Sequence, residues 1–524
     1  MKRKFFIFLG FAFLVCLMAY PAYAVDFKIH ADINNRFEVT NNTEAIVTQD
    51  FTGSKNNDFS ISPGDGREYE SLKFFAPGQK GFLGNTNDDS GERYTYYDED
   101  DKKFKQGKGD ENNDHAWGET KARLRFEFTT DDNMAKGVWA MEVGNVKFGT
   151  PGSVGKGKGG SLSGDGVNTE TRFLYVDFQN PLIAHSSRLR LGLQPIGLNK
   201  WLWTETAMGV RYFGSTPMLD YEAAWVRAEE NFTNELEDDD AFFAKITYKP
   251  KWEDLSLKLG LFFCMLSQGN DTSTVYSIHD MNTPETAQLP TQNQNSKMSV
   301  SYDEDDYYVG LDGGMQWRSF FANWDFIYQW GDIDFDENVV EKGTDDSLDR
   351  SAYFIHTDLG YHWTPKFTTT FTFWYASGDD DPDDGDADNY DNIDTDVPGD
   401  VVIFEEQVTD DNSWTDAPYL LDKGFIMFRL KANYQVTKKW SIAPAVAYML
   451  LAEDTYNGDD DVGWEMMLFS KYNIWKNLNF NFAAGYLVAG DAMDAWARDA
   501  NISNDYDGDA DDQWRVTAGI RFKF

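Results

Sequence analysis

Cysteine is nearly absent: the 524 residues hold Cys16 and Cys264 only. Cys16 lies in a removable leader, so the mature chain keeps one thiol. That excludes an intramolecular disulfide, a cysteine-based zinc site and attachment of a c-type haem through C-x-x-C-H. Positive charge is also scarce. There are 88 Asp and Glu against 47 Lys and Arg, a formal net charge of −41, and a surface of that sign repels nucleic acid. Beyond the leader no apolar run approaches the ~20 residues that a spanning helix needs. The six histidines (His30, His115, His185, His279, His356, His362) lack the spacing of a zinc-binding helix and any recognisable pairing with a serine nucleophile. His356 and His362 share a face of one alternating run but stand about 20 Å apart at ~3.3 Å per residue. The chain is expected not to be an enzyme and to need no cofactor.

What is present begins with an export signal. Lys2, Arg3 and Lys4 form a basic start, Phe5 to Tyr20 an apolar stretch, and Ala22-Tyr23-Ala24 a small-residue cleavage site, so residues 1–24 read as a signal peptide and the mature chain starts at Val25. Val15 before Cys16 is too large for a lipoprotein signal. The other end is a strict alternation: Trp514, Val516, Ala518, Ile520, Phe522 and Phe524 on one face, Arg515, Thr517, Arg521 and Lys523 on the other. This is a strand with lipid on one side and water on the other.

Eighteen runs share that pattern: 26–39, 116–129, 137–148, 170–179, 188–196, 208–214, 221–228, 240–249, 255–266, 307–317, 320–331, 351–363, 367–377, 424–436, 440–451, 463–473, 478–488 and 514–524. Those at 208–214 and 221–228 are the weakest, which leaves sixteen as the alternative count. The connections alternate between short and long. Short ones lie near 130–136, 180–187, 215–220, 250–254, 318–319, 364–366, 437–439 and 474–477, and the longest near 40–115, 267–306, 332–350, 378–423 and 489–513. Trp252, Trp317, Trp363, Trp440 and Trp475 stand beside short turns, as an interfacial aromatic ring requires. The fold class is therefore an all-β, transmembrane, antiparallel up-and-down β-barrel, expected as one domain over 25–524. The first run starts so near Val25 that no plug or periplasmic domain is expected before the barrel.

Placing the polar face of each run inward puts Lys28, Arg36, Lys121, Arg123, Arg125, Arg188, Arg190, Arg515, Arg521 and Lys523 in the lumen. Because the last strand must close on the first, most of these form one basic wall. Asp312, Asp325 and Asp358 fall inward on the tenth, eleventh and twelfth strands, an acidic wall opposite, and the pair would set a transverse field across a wet channel.

The loops hold most of the acid. Eleven aspartates and no basic residue lie between Asp379 and Asp400; Asp379, Asp381, Asp383, Asp384, Asp386 and Asp388 are candidate Ca²⁺ ligands, against the alternative of a solvated acidic surface. No EF-hand loop fits, since its first and twelfth positions around Asp505 would be Ser503 and Trp514. Gly152 to Gly159 imitates a phosphate-binding loop but puts Gly159 where a hydroxyl is needed, and reads as a flexible loop.

Through its signal, its strand and turn rhythm and its terminal Phe524, the mature chain resembles Gram-negative outer-membrane porins of the sixteen- or eighteen-stranded kind. Leu189-Arg190-Leu191-Gly192-Leu193-Gln194-Pro195-Ile196-Gly197 is locally similar to the phosphate-selective porin group. The resemblance implies an outer-membrane location, a water-filled channel for ions and small hydrophilic solutes, contact with lipid and lipopolysaccharide, delivery to the barrel-assembly machinery through Phe524, and a homotrimer. The third outer loop, 198–207, is short for a porin constriction, so either it makes a hydrophobic lip with Trp201 and Trp203 or another loop supplies the eyelet. The glycine-rich second loop and the acidic seventh are the candidates. The competing expectation is a non-conducting barrel, a scaffold with metal-binding loops or a sheath for a partner such as a cytochrome.

Overall fold

The computed structural model describes residues 25–40, 73–75, 91–98, 103–109, 115–149, 167, 169–179, 187–229, 239–250, 252–276, 297–335, 347–380, 386–395, 401–403, 418, 423–454, 458–493 and 512–524. The barrel strands are β1 (Val25–Thr40), β2 (His115–Thr130), β3 (Ala135–Lys147), β4 (Thr169–Gln179), β5 (Ser187–Pro195), β6 (Thr206–Ser215), β7 (Leu219–Glu229), β8 (Asp239–Tyr248) and β9 (Leu255–Tyr276). They continue as β10 (Lys297–Trp317), β11 (Phe320–Phe335), β12 (Ser347–Thr364), β13 (Phe367–Ala376), β14 (Phe425–Gln435), β15 (Trp440–Leu450), β16 (Asp461–Trp475), β17 (Leu478–Ala489) and β18 (Gln513–Lys523). Each pairs antiparallel with the next, and β1 pairs with both β2 and β18. The ring is closed, with eighteen strands rather than sixteen. The two weakest runs are β6 and β7, which pair from Asp220↔Ser215 to Arg227↔Met208.

The largest departure from the alternating runs is at β9 to β12. There the strands continue beyond the apolar stretch, to Tyr276 on β9 and from Lys297 on β10. These extensions, 267–276 and 297–306, are rich in polar residues, so the apolar alternation that marks the rest of the barrel is a weaker guide there. Residues 73–75 add a short strand to β9, and 91–98 pairs with 103–109 in a separate hairpin.

Large exposed hydrophobic side chains occupy one parity of each strand and face outward, among them Phe27, Ile29, Phe37, Val39, Leu259, Leu261, Phe263 and Leu430. A soluble sandwich would bury that face. Aromatic rings bound the apolar belt at both ends. At the short-turn end Trp252, Trp317, Trp363, Trp440 and Trp475 are all exposed. At the long-loop end Trp330 stacks on Tyr307 and Tyr328, Tyr353 on Tyr375, and Tyr448 on Trp464. Just beyond that upper ring Asp305, Asp332 and Asp349 are direct neighbours across three strands, a row of like charges tolerable only in water. From Tyr307 to Trp317, the ten residue steps of β10 span about 33 Å, or about 25 Å of height at a ~40° tilt, the thickness expected of a transmembrane barrel's apolar band.

The closing seam is held by charge as well as by backbone. Arg521 donates to Asp32 from Nε (2.7 Å) and Nη2 (2.6 Å), Lys523 lies 3.1 Å from the same carboxylate, and Ala31 and Phe524 exchange backbone hydrogen bonds. These side chains are partly wet, which limits their worth. Asp32→Ala should destabilise the barrel by about 1 kcal/mol, and Arg521→Ala added to it should cost less than the sum of the two single changes. The temperature at which the folded band is lost on an unboiled gel measures both.

Candidate functional site: a lumen crossed by two loops

The inward parity of the strands gives the lumen two unlike sectors. On β18 and β1 to β6 it is charged. Arg36 pairs with Glu119, both fully buried. Lys121 (2.9 Å), Arg123 and Arg172 (2.9 Å) converge on Glu142. Arg125 (2.5 Å) and Lys136 (2.8 Å) meet Glu127. Arg188 and Arg190 share Asp177, and Arg190 also lies over the rings of Tyr175 (4.4 Å) and Phe213 (5.0 Å). Arg211 pairs with Glu222 on β7, and Arg515 with Glu38 (3.3 Å). Lys28, at the short-turn mouth, is exposed beside Asp26.

The expected basic residues therefore stand together, but not as a wall of one sign. Acids are threaded among them at nearly every step, and the acidic residues opposite are likewise compensated. Asp312 is paired with Lys245 of β8. Asp325 accepts from Asn199 (2.8 Å) and Trp201 Nε1 (3.1 Å) and faces His356 Nδ1 (3.1 Å). Asp358 accepts from Thr372 Oγ1 (2.7 Å) and lies 3.6 Å from His356 Nε2. Unpaired charges of one sign would repel at close range in a confined space, so each side chain takes a local counter-charge. Glu119 and Glu127 were readable, since they share the odd positions of Lys121, Arg123 and Arg125. Arg172 was not, because the register shift between Ala140 and Met141 breaks the parity that would have assigned it.

From β7 round to β17 the inward face is apolar at the level of the upper half of the belt, with Phe243, Phe262, Phe354, Trp374, Phe425, Met427, Met449 and Leu487 all buried. They are buried because two loops fold into the barrel and pack on them. The third loop, 196–205, places Trp201 with no exposed surface against Trp374 (4.6 Å), His356 (4.7 Å) and Phe354 (5.1 Å). Lys245 Nζ donates to Leu198 O (2.6 Å), and Asp325 takes Asn199 and Trp201 as above. Asp312 and Asp325 are register partners midway between the aromatic rings of β10 and β11, so this loop reaches the middle of the membrane.

The seventh loop joins it. Tyr390 donates to Trp201 O (2.9 Å), Ile393 N (3.0 Å) and Asp394 N (3.2 Å) donate to Leu202 O, and Thr204 N donates to Asp394 O (2.9 Å). Asp391 N donates to Gln329 (2.8 Å), and the Asp391 carboxylate joins Arg350, Glu304 and Asp306 in a buried ionic cluster. Farther along, Val402 and Ile403 lie on β16 to β18. The two alternatives thus combine: the hydrophobic lip of the third loop and the acidic seventh loop, one of the two candidates for the eyelet, form one cross-piece. The glycine-rich segment 152–159 lies outside the described residues.

Below the cross-piece the lumen is lined by accessible polar side chains. Lys258, Gln316, Asn323, His362, Asn433, Lys471 and Asn473 face inward and are exposed. Of the candidate Ca²⁺ ligands, Asp381, Asp383 and Asp384 lie outside the described residues. Asp379 is buried and uses its backbone oxygen to accept Lys423 Nζ (2.8 Å), Asp388 O accepts Ser377 Oγ (2.7 Å), and Asp386 is exposed. Among the described residues no three His, Cys, Asp or Glu come together as a metal site.

No family model matches the chain, and no curated protein matches it. Among solved structures it is similar to the outer membrane protein OpdK from Pseudomonas aeruginosa (10% identity, 95% of this chain and 99% of that one, TM-score 0.45). It is likewise similar to a BenF-like porin from Pseudomonas fluorescens (10%, 95% and 99%, 0.44) and to OccAB4 from Acinetobacter baumannii (10%, 95% and 98%, 0.46).

Trp201 is the centre of the cross-piece. Trp201→Ala should cost about 3–5 kcal/mol of local stability, the range for removing a buried aromatic, while leaving the strand ladder intact. The expected result is loss of near-ultraviolet dichroism from the ring cluster and new tryptic cleavage after Lys200, with the far-ultraviolet strand signal unchanged.

Proposed function

We propose that this chain is a channel of the outer membrane of a Gram-negative bacterium, through which ions and small hydrophilic solutes diffuse passively. One observation carries the reading. Part of the charged sector is left open by the cross-piece: Arg36, Glu119 and Arg515 are buried, but Arg123, Arg125, Arg188 and Arg521 keep between about a quarter and two fifths of their side-chain surface accessible. A strip of ionised side chains along the inside of a membrane-spanning barrel implies water beside it, because burying them dry would cost several kcal/mol each. The export signal and the terminal amphipathic strand support the location, and the exposed apolar belt supports lipid as the barrel's surroundings. The resulting passage is eccentric, bounded by ion pairs on one side and by the two loops on the other.

The passage should conduct. Purified protein in planar bilayers is expected to give stepwise current that scales roughly with bulk electrolyte. The extent of the apolar cross-piece favours the second reading, a non-conducting scaffold or sheath, and intact insertion without current would establish it.

Selectivity follows from range. Acidic loops at the mouth act over a Debye length of about 8 Å at physiological salt, whereas lumen charges act at contact. The channel should prefer cations, less so as salt rises, while the arginines attract carboxylate or phosphate groups locally. Changing Arg123, Arg125, Arg188 and Arg190 to alanine leaves Glu142, Glu127 and Asp177 short of their partners and should make the channel more cation-selective. An unchanged reversal potential across a salt gradient would mean that these side chains do not border the conducting path.

A further inference from the structure

The rim at the short-turn end carries charge of the sign that the rest of the chain lacks. Four successive turns, β10–β11, β12–β13, β14–β15 and β16–β17, hold Arg318, Lys366, Lys438, Lys439 and Lys476, all exposed. The stretches around them, 313–324, 359–378, 425–452 and 466–490, contain no Asp or Glu, in a chain that has 88. Turns on the other side of the ring differ: β2–β3 holds Asp131 and Asp132, and β8–β9 holds Glu253 and Asp254. The basic residues therefore form one arc.

The arc lies at the margin of the apolar belt. Each of its turns is flanked by one exposed tryptophan of the outward face, Trp317, Trp363, Trp440 or Trp475. Two of these indoles are fastened to the outer wall: Trp363 Nε1 donates to Thr369 Oγ1 (2.9 Å), and Trp440 Nε1 to Ser470 Oγ (3.0 Å). The Arg318 guanidinium lies over the Trp317 ring, 5.4 Å from its centroid, so its charge stands beside an outward-facing ring. Lys439 Nζ donates to Ile474 O (3.1 Å) and ties two of the turns together. Across six strand spacings of ~4.8 Å the arc is about 30 Å long. The opposite margin of the belt has the other sign, with Asp305, Asp332 and Asp349 just beyond the upper aromatic ring.

We propose that this arc is a docking surface for anionic phospholipids of the leaflet on the short-turn side, its cations pairing with headgroup phosphates while the tryptophans sit at the boundary with the acyl chains. The inference rests on the outer-membrane reading for the identity of that leaflet, since short turns face the periplasm, and not on conduction. An amphipathic lysine stem keeps its ammonium at headgroup level beside an interfacial indole. Each such cation is drawn to an anionic lipid surface within a Debye length, about 8 Å at physiological salt, and the five act on one stretch of one leaflet. Position favours lipid over a soluble anion, because these charges edge the outside of the belt beside rings that face hydrocarbon. The aspartates of the opposite margin repel the same headgroups, which confines the preference to one side of the membrane.

The full mature chain, folded in detergent and offered equal amounts of phosphatidylglycerol and the zwitterionic phosphatidylethanolamine, tests this by native mass spectrometry of the lipids that stay bound. The parent should retain phosphatidylglycerol about threefold or more over phosphatidylethanolamine. Lys366→Gln with Lys438→Gln and Lys476→Gln should bring the ratio close to one. Lys28→Gln with Lys258→Gln and Lys471→Gln removes as many charges from the lumenal side of the same end and should keep the parent's ratio. The folded band on an unboiled gel establishes that both triple variants are barrels. No preference in the parent, an undiminished preference in the rim variant, or an equal loss in both variants would overturn the inference. Excess glycerol 3-phosphate should leave the bound phosphatidylglycerol in place; displacement would make the arc a site for soluble anions and overturn the lipid assignment. Retention is read without current, so a barrel that keeps the preference but does not conduct removes the channel reading alone.

Discussion

Every backbone N–H and C=O that crosses hydrocarbon must find a partner inside the protein, and for strands this is met only by a ring without edges. The pairing of β1 with β18 is therefore the condition on which the other strands depend. Once the ring is closed, each strand has one face in lipid and one in the lumen. The alternation of residues becomes a partition between two solvents, which is why Phe27 and Lys28, or Leu259 and Lys258, can be neighbours in sequence and lie in different media.

The lumen shows what that partition leaves unspecified. An inward face need only avoid lipid; it can be charged and wet or apolar and packed. Here it is both, in different sectors. Charged residues are interleaved with their counter-ions, giving short-range pairs such as Arg190 with Asp177 rather than a long-range field between walls. The apolar sector is stabilised by what covers it: Trp201 and Tyr390, brought in from two distant loops, supply the ring contacts and hydrogen bonds that Phe354, Trp374 and Asp325 would otherwise lack. The constriction is in that sense a small hydrophobic core built inside a barrel.

The strand count, the inward parity of the basic residues and the tryptophan ring at the short turns were legible because each follows from a period of two read over a few residues. The weak runs at β6 and β7 resolved to strands because their neighbours needed partners, a condition that no local window contains. Lys245 opposite Asp312 was hidden because they lie two strands apart and meet across β9, where Gly260 leaves room for the Asp312 carboxylate, a contact set by the register of three strands. The apolar inward positions Phe262, Cys264 and Leu266 were visible in the sequence of β9 beside its lipid-facing leucines. With both faces apolar, alternation says that a strand is present but not that something must enter the lumen to cover it. Loops carry no period, so the fit of 196–205 against 386–395 had no signal of its own beyond the unusual tryptophans at 201 and 203.

The seam between Asp32 and Arg521 joins residues 489 positions apart. The first strand has one of its two neighbours almost at once and the other only when the final strand arrives. Until then β1 presents an unpaired edge, and so does whichever strand was added last, each a template for pairing with another chain. With its defining contact spanning nearly the whole mature sequence, the ring stays open until the last strand is in place. A chain cut short by even its last strand would lack the ring itself, rather than one-eighteenth of it.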